Sequence, residues 1–128
     1  MSKKVAGAAA LLLAALSISA DARPLKPEQE AMIKPAGKPV DCISIRSIQS
    51  SRVRDDRTID FYMAGRKVYR NRLPHSCSRL GFEEKFAFAT SLSQLCSVDT
   101  ITVLSSPPMG SGPTCGLGKF QPISGAPK

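Results

Sequence analysis

The sequence predicts a small, mostly β, single domain stapled by disulfides, with little helix. Three observations carry that reading. Short stretches of alternating apolar and polar residues recur between glycine- and proline-bearing turns. Four cysteines, Cys42, Cys77, Cys96 and Cys115, lie in a chain of 128 residues, and an even count in an exported protein reads as two bridges. The N-terminus carries an export pattern: Lys3 and Lys4, an uncharged run from Val5 to Ile18, then the small-x-small string Ala20-Asp21-Ala22.

Residues 1–22 are therefore expected to be a signal peptide, its apolar run being shorter than the roughly 20 residues a membrane span needs. The mature chain, Arg23 to Lys128, should be periplasmic or secreted, with no transmembrane segment. Its length fits one domain of about 100–150 residues. Residues 23–40 hold four prolines and few large apolar groups, which predicts an extended arm or linker. The β-rich domain should then cover 41–122, leaving 123–128 as a flexible tail.

Each element follows from its local pattern. Cys42-Ile43-Ser44-Ile45-Arg46 alternates, with Ile43 and Ile45 inward; Ile48 breaks the phase and predicts a bulge near Arg46–Ser47. Arg52-Val53-Arg54 continues as strand, and Asp55-Asp56-Arg57 reads as a turn. In Thr58 to Met63, Ile59, Phe61 and Met63 share one face and Asp60 and Tyr62 the other. Ala64-Gly65-Arg66 is a tight connection. Lys67 to Leu73 should pair back, with Arg70 and Arg72 on the face opposite Tyr69, Asn71 and Leu73; Pro74 ends it. Gly81 to Cys96 fits either a strand or a helical stripe; a strand at Lys85–Thr90, then a turn before Cys96, is the favoured reading. Asp99 to Leu104 is a strand with Ile101 and Val103 on one face. From Ser105 on, proline and glycine predict irregular chain, pinned by Cys115 and Phe120. Five or six such strands make a small barrel or sandwich, OB-like or SH3-like.

Four cysteines allow three connectivities, which spacing alone does not decide. The preferred one is Cys77–Cys96 with Cys42–Cys115, a loop inside a clamp. Successive cysteines stand 35, 19 and 19 residues apart and His75 is the only histidine, so the close ligand pairs of a zinc site are missing. No metal or other cofactor is expected.

Charge is the strongest functional signal. Eighteen Lys and Arg, less Lys3 and Lys4, face ten Asp and Glu, less Asp21, a net of +7 for the expected mature chain. Nine bases against three acids fall between Arg46 and Arg79. Such residues are also ordinary solvent-facing strand residues that discourage edge aggregation. Read functionally, Arg70 and Arg72, with Lys67 and Tyr62 nearby, form a candidate anion-binding face, since guanidinium grips phosphate or carboxylate and tyrosine stacks. The expected ligand is an anionic envelope component, lipopolysaccharide or anionic lipid, or else a partner protein. Nucleic acid is not the expected ligand of an exported protein.

Catalytic signals are weak. His75 sits in a loop with no orienting carboxylate legible nearby. Asp55 and Asp56 suit a turn better than a carboxylate pair. Gly110-x-Gly112 lacks the helix that a phosphate loop requires.

Four strings in order carry a resemblance: Val53-Arg54-Asp55-Asp56-Arg57-Thr58-Ile59, Val68-Tyr69-Arg70-Asn71-Arg72-Leu73-Pro74, Leu95-Cys96-Ser97-Val98-Asp99-Thr100-Ile101 and Cys115-Gly116-Leu117-Gly118-Lys119-Phe120. Together they resemble an uncharacterised domain-of-unknown-function family of small exported proteins from Gram-negative bacteria, over about Asp41 to Pro122. Val98 stands where that pattern leads one to expect glycine. The resemblance implies an exported single domain and no catalytic residue. The expectation is thus a non-enzymatic binding domain. The alternatives are an inhibitor or assembly partner of another periplasmic protein, or an enzyme built on the His75 loop.

Overall fold

A computed structural model describes residues 24–90, 92–106 and 110–128; the expected signal peptide, 1–22, lies outside the described residues. The chain is mostly β. Among the described residues ten strands form three antiparallel sheets: β1 (Lys34–Pro35), β10 (Phe120–Ser124), β5 (Val68–Arg72), β4 (Thr58–Met63) and β3 (Ile48–Asp55) in that order; β2 (Cys42–Ser44) with β7 (Gln94–Cys96); and β6 (Phe86–Phe88), β8 (Thr100–Leu104) and β9 (Ser111–Gly116). Helix is limited to two short pieces among the described residues, α1 (Pro27–Ala31) and α2 (Leu80–Glu83), besides two 3-10 turns. Among the described residues no sheet closes on itself, and the three sheets meet over one core.

That core comes from the alternating strands. Ile59, Phe61 and Met63 of β4, Val53 of β3, Ile101 and Val103 of β8 and Phe120 of β10 are all buried in one cluster. The Phe61 ring stands edge-on to Phe86 and to Phe120, at centroid distances of 6.1 and 5.7 Å, a geometry aromatic quadrupoles favour. It joins the five-stranded sheet to the three-stranded one.

Several expectations are corrected. The bridges are Cys42–Cys96 and Cys77–Cys115, not Cys77–Cys96 and Cys42–Cys115. The reason lies in strand pairing: β2 lies antiparallel to β7 with Cys42 directly opposite Cys96, a partnership invisible in spacing. The Ile45–Ser47 segment is a 3-10 turn, and the register shift comes just after it, between Ile48 and Ser50. Gly81 to Cys96 holds both alternatives in succession, helical turn α2 reaching Glu83 and then strands β6 and β7.

The Gly- and Pro-rich C-terminal segment, expected to be irregular from Ser105, forms two strands among its described residues, with 107–109 outside them. It supplies β9, an edge strand that tolerates Pro113, and β10. Phe120 exchanges main-chain hydrogen bonds with Val40, and the Pro122 carbonyl accepts from the Ala36 amide. Phe120 and Pro122 are two apart, so their main-chain groups point the same way, toward residues 34–40. The donor that Pro122 lacks is therefore not asked for by β5. The expected tail begins within this strand, and Pro127 O accepts a hydrogen bond from Tyr62 Oη. The expected linker, 23–40, carries α1 and β1 and pairs with β10 through Lys34–Ser124 and Pro35–Ile123.

Candidate functional site

The outer face of the five-stranded sheet is where the charges gather. Antiparallel register sets Asp60 beside Arg52 on β3 and Arg70 on β5, with Tyr62 opposite Val68. The period of two then puts Asp60, Tyr62, Arg70 and Arg72 on this face, as the alternation predicts.

At its centre is a closed ion cluster. The fully buried Asp60 carboxylate accepts from Arg54 Nε at 3.0 Å, from Arg70 Nε at 2.8 Å and from Arg70 Nη2 at 3.0 Å. Arg70 also donates to both Glu30 oxygens, Nη1 at 2.9 Å and Nη2 at 3.2 Å. Arg54 Nη2 donates to Tyr62 Oη at 2.8 Å, and that hydroxyl donates to Pro127 O. Two guanidiniums and two carboxylates cancel. Burial pulls the Arg70 guanidinium down, while its hydrogen bonds to Asp60 and Glu30 outweigh burial and raise it, so it stays charged. Burial likewise pushes the Tyr62 phenol above its ordinary value, against the pull of Arg54.

The four residues picked from the sequence therefore separate. Arg70 is 7 % exposed and already holds carboxylates. Arg72 is exposed but turns to two other hollows, one of about 520 Å³ shared with Asp55 and Asp56, the other of about 310 Å³ under residues 33–39. Tyr62 and Lys67 line a larger hollow of about 640 Å³, together with Arg52, Arg66 and Lys128. No Asp or Glu side chain lines it, and none among the described residues forms an ion pair with these four cations.

The local sequence explains how the bases get there. Gly65 and Arg66 both take positive φ, 81° and 67°. For Arg66 this costs on the order of 1–2 kcal/mol, and it swings two successive bases to the mouth of the hollow. Arg52 arrives from β3 by register. Lys128 arrives because the C-terminal residues fold back onto Tyr62. Sequence reasoning missed Arg52, Arg66 and Lys128. The adjacent bases after Gly65 were a usable signal; the fold-back of Lys128 had none.

His75 is exposed and lines none of these three hollows. Among the described residues no helix is long and apolar enough to cross a membrane, and no three His, Cys, Asp or Glu side chains cluster as metal ligands would. No family model, curated protein or solved structure matches this chain.

Proposed function

We propose that this protein is an exported, non-enzymatic binding domain that takes an anionic component of the cell envelope, lipopolysaccharide or anionic lipid, in the hollow of Arg52, Arg66, Lys67 and Lys128. One observation carries the reading: four unpaired cations from three separate segments converge on a hollow lined by no acid side chain. A hollow lined by cations and by no Asp or Glu side chain favours an arriving anion. Val68, Ala126 and the Tyr62 ring among the lining residues suit an anion that carries an apolar body.

The test is a salt titration of the oxidised protein against lipopolysaccharide, anionic vesicles, heparin-like glycan and single-stranded DNA, beside an Arg66→Ser/Lys67→Ser variant. Saturable binding to an envelope component, weakened by salt and lost in the variant, supports the reading. Equal weak binding to every probe, unchanged in the variant, sinks it.

A second reading, an inhibitor or assembly partner of another exported protein, rests on Phe82. Its side chain belongs to a residue 83 % exposed, beside a hollow that Arg57 and Arg72 also line. A stoichiometric partner retained at high salt and released by Phe82→Ser would favour it.

A further inference from the structure

The edge of β10 offers a second recognition site, independent of the basic hollow. In the folded chain it is covered by residues 24–40, none of which is buried. This arm adds nothing to the core cluster. What holds it is general in kind. The Ala36 amide donates to Pro122 O at 2.9 Å, and Val40 and Phe120 exchange hydrogen bonds of 2.9 and 2.8 Å. Gln121 Nε2 donates to the Gly37 carbonyl at 2.8 Å. These contacts read main chain, which every extended peptide carries. The one side-chain contact of high specificity is the Glu30 carboxylate on Arg70, and that carboxylate is 44 % exposed.

Beneath the arm lies the hollow of about 310 Å³ that Arg70, Arg72, Lys119 and Gln121 line with no acid. Sheet edges receive foreign strands by backbone pairing, with pockets for alternate side chains giving specificity, and a recess lined by bases suits an acidic side chain. We infer that the arm is a built-in stand-in ligand, and that the β10 edge with Arg70, Arg72 and Lys119 binds an extended acidic segment of another protein in its place. The incoming strand takes the Phe120 and Pro122 main-chain bonds, and its carboxylate replaces that of Glu30 on Arg70. Because the arm is tethered, it competes at high effective concentration, so the site is guarded until the arm swings away.

The probe is a short blocked peptide of alternating valine and threonine with one glutamate, and its glutamine counterpart. It is titrated into the oxidised protein, a Glu30→Ala variant, an arm-locked Lys34→Cys/Ser124→Cys variant closed by oxidation, and the Arg66→Ser/Lys67→Ser variant. Lys34 and Ser124 are direct strand partners, so the lock holds the arm where it lies. Glu30→Ala should bind the glutamate peptide roughly tenfold tighter than the unaltered protein, the size of one charge-assisted contact. The glutamine peptide should bind more weakly, the locked variant not at all, and the Arg66→Ser/Lys67→Ser variant normally. Equal binding by Glu30→Ala and the unaltered protein overturns the inference. So does binding by the locked variant, or loss of the peptide in Arg66→Ser/Lys67→Ser, which would place it in the basic hollow instead. Hydrogen exchange gives a further check without any substitution: the Ala36 and Val40 amides should exchange well before those of β4. If they exchange only with global unfolding, the arm does not leave and the site does not exist.

Discussion

Asp60 shows how one buried carboxylate can decide what its neighbours are free to do. It is 0 % exposed and pairs with both Arg54 and Arg70, which are 8 % and 7 % exposed. Removing one partner of a buried ion group leaves uncompensated charge, so Asp60→Ala should lose about 3–5 kcal/mol in urea unfolding. A loss below about 1 kcal/mol would be that of a surface pair and would contradict the burial. Tyr62 gives a pH test. Its folded pKa is raised, chiefly by burial, from the ordinary phenol value of 10.0. The neutral phenol is therefore favoured in the folded state. Its contribution to stability is complete below the ordinary value and is lost as pH rises through the higher, folded one. Unfolding free energy measured between about pH 9 and about pH 12 should fall with this step, and Tyr62→Phe should remove the step. The placement of Asp60, Tyr62 and Arg70 on one face was legible from alternation. The burial of Arg70 was not, because the carboxylate over it, Glu30, comes from 40 residues earlier in the chain.

At the scale of elements, what could be read was what the chain decides locally. Thr58–Met63, Val68–Arg72 and Thr100–Leu104 alternate with period two and form strands close to where the pattern puts them. The Asp55–Arg57 turn is also local: Asp55 Oδ1 accepts from the Arg57 amide at 2.8 Å. The arm and the two C-terminal strands were missed because non-local pairing overrides their composition. β10 needs β5 beside it, and residues 34–40 need β10. Gly118 marks a close approach in that docking. Asn71 Nδ2 donates to Gly118 O at 2.7 Å, and the Gly118 amide donates to Asn71 Oδ1 at 2.8 Å. A Cβ at Gly118 would collide with the Arg72 carbonyl oxygen. Gly118→Ala should thus cost about 1–3 kcal/mol, as overpacking does. Gly116→Ala, where nothing lies within 4 Å of the added carbon, should be close to neutral in the same denaturation series.

Over the whole molecule, three small sheets share one core, and the covalent bridges supply what a small core lacks. Each bridge replaced by a serine pair should lower stability by about 2–4 kcal/mol, read from thermal or urea unfolding. The two bridges cross in sequence: Cys42 joins Cys96 over 54 residues and Cys77 joins Cys115 over 38, so each spans an end of the other. For a chain threaded into an oxidising compartment N-terminus first, this order has a cost in biogenesis. The cysteines would meet as Cys42 with Cys77, then Cys96 with Cys115, and neither is a native pair. Reaching the native bonds then requires thiol–disulfide exchange after the last cysteine has crossed. Yield should therefore depend on a disulfide isomerase as well as on the oxidase. In a host that keeps the oxidase and lacks the isomerase, non-reducing peptide maps should show Cys42–Cys77 accumulating at the expense of folded protein.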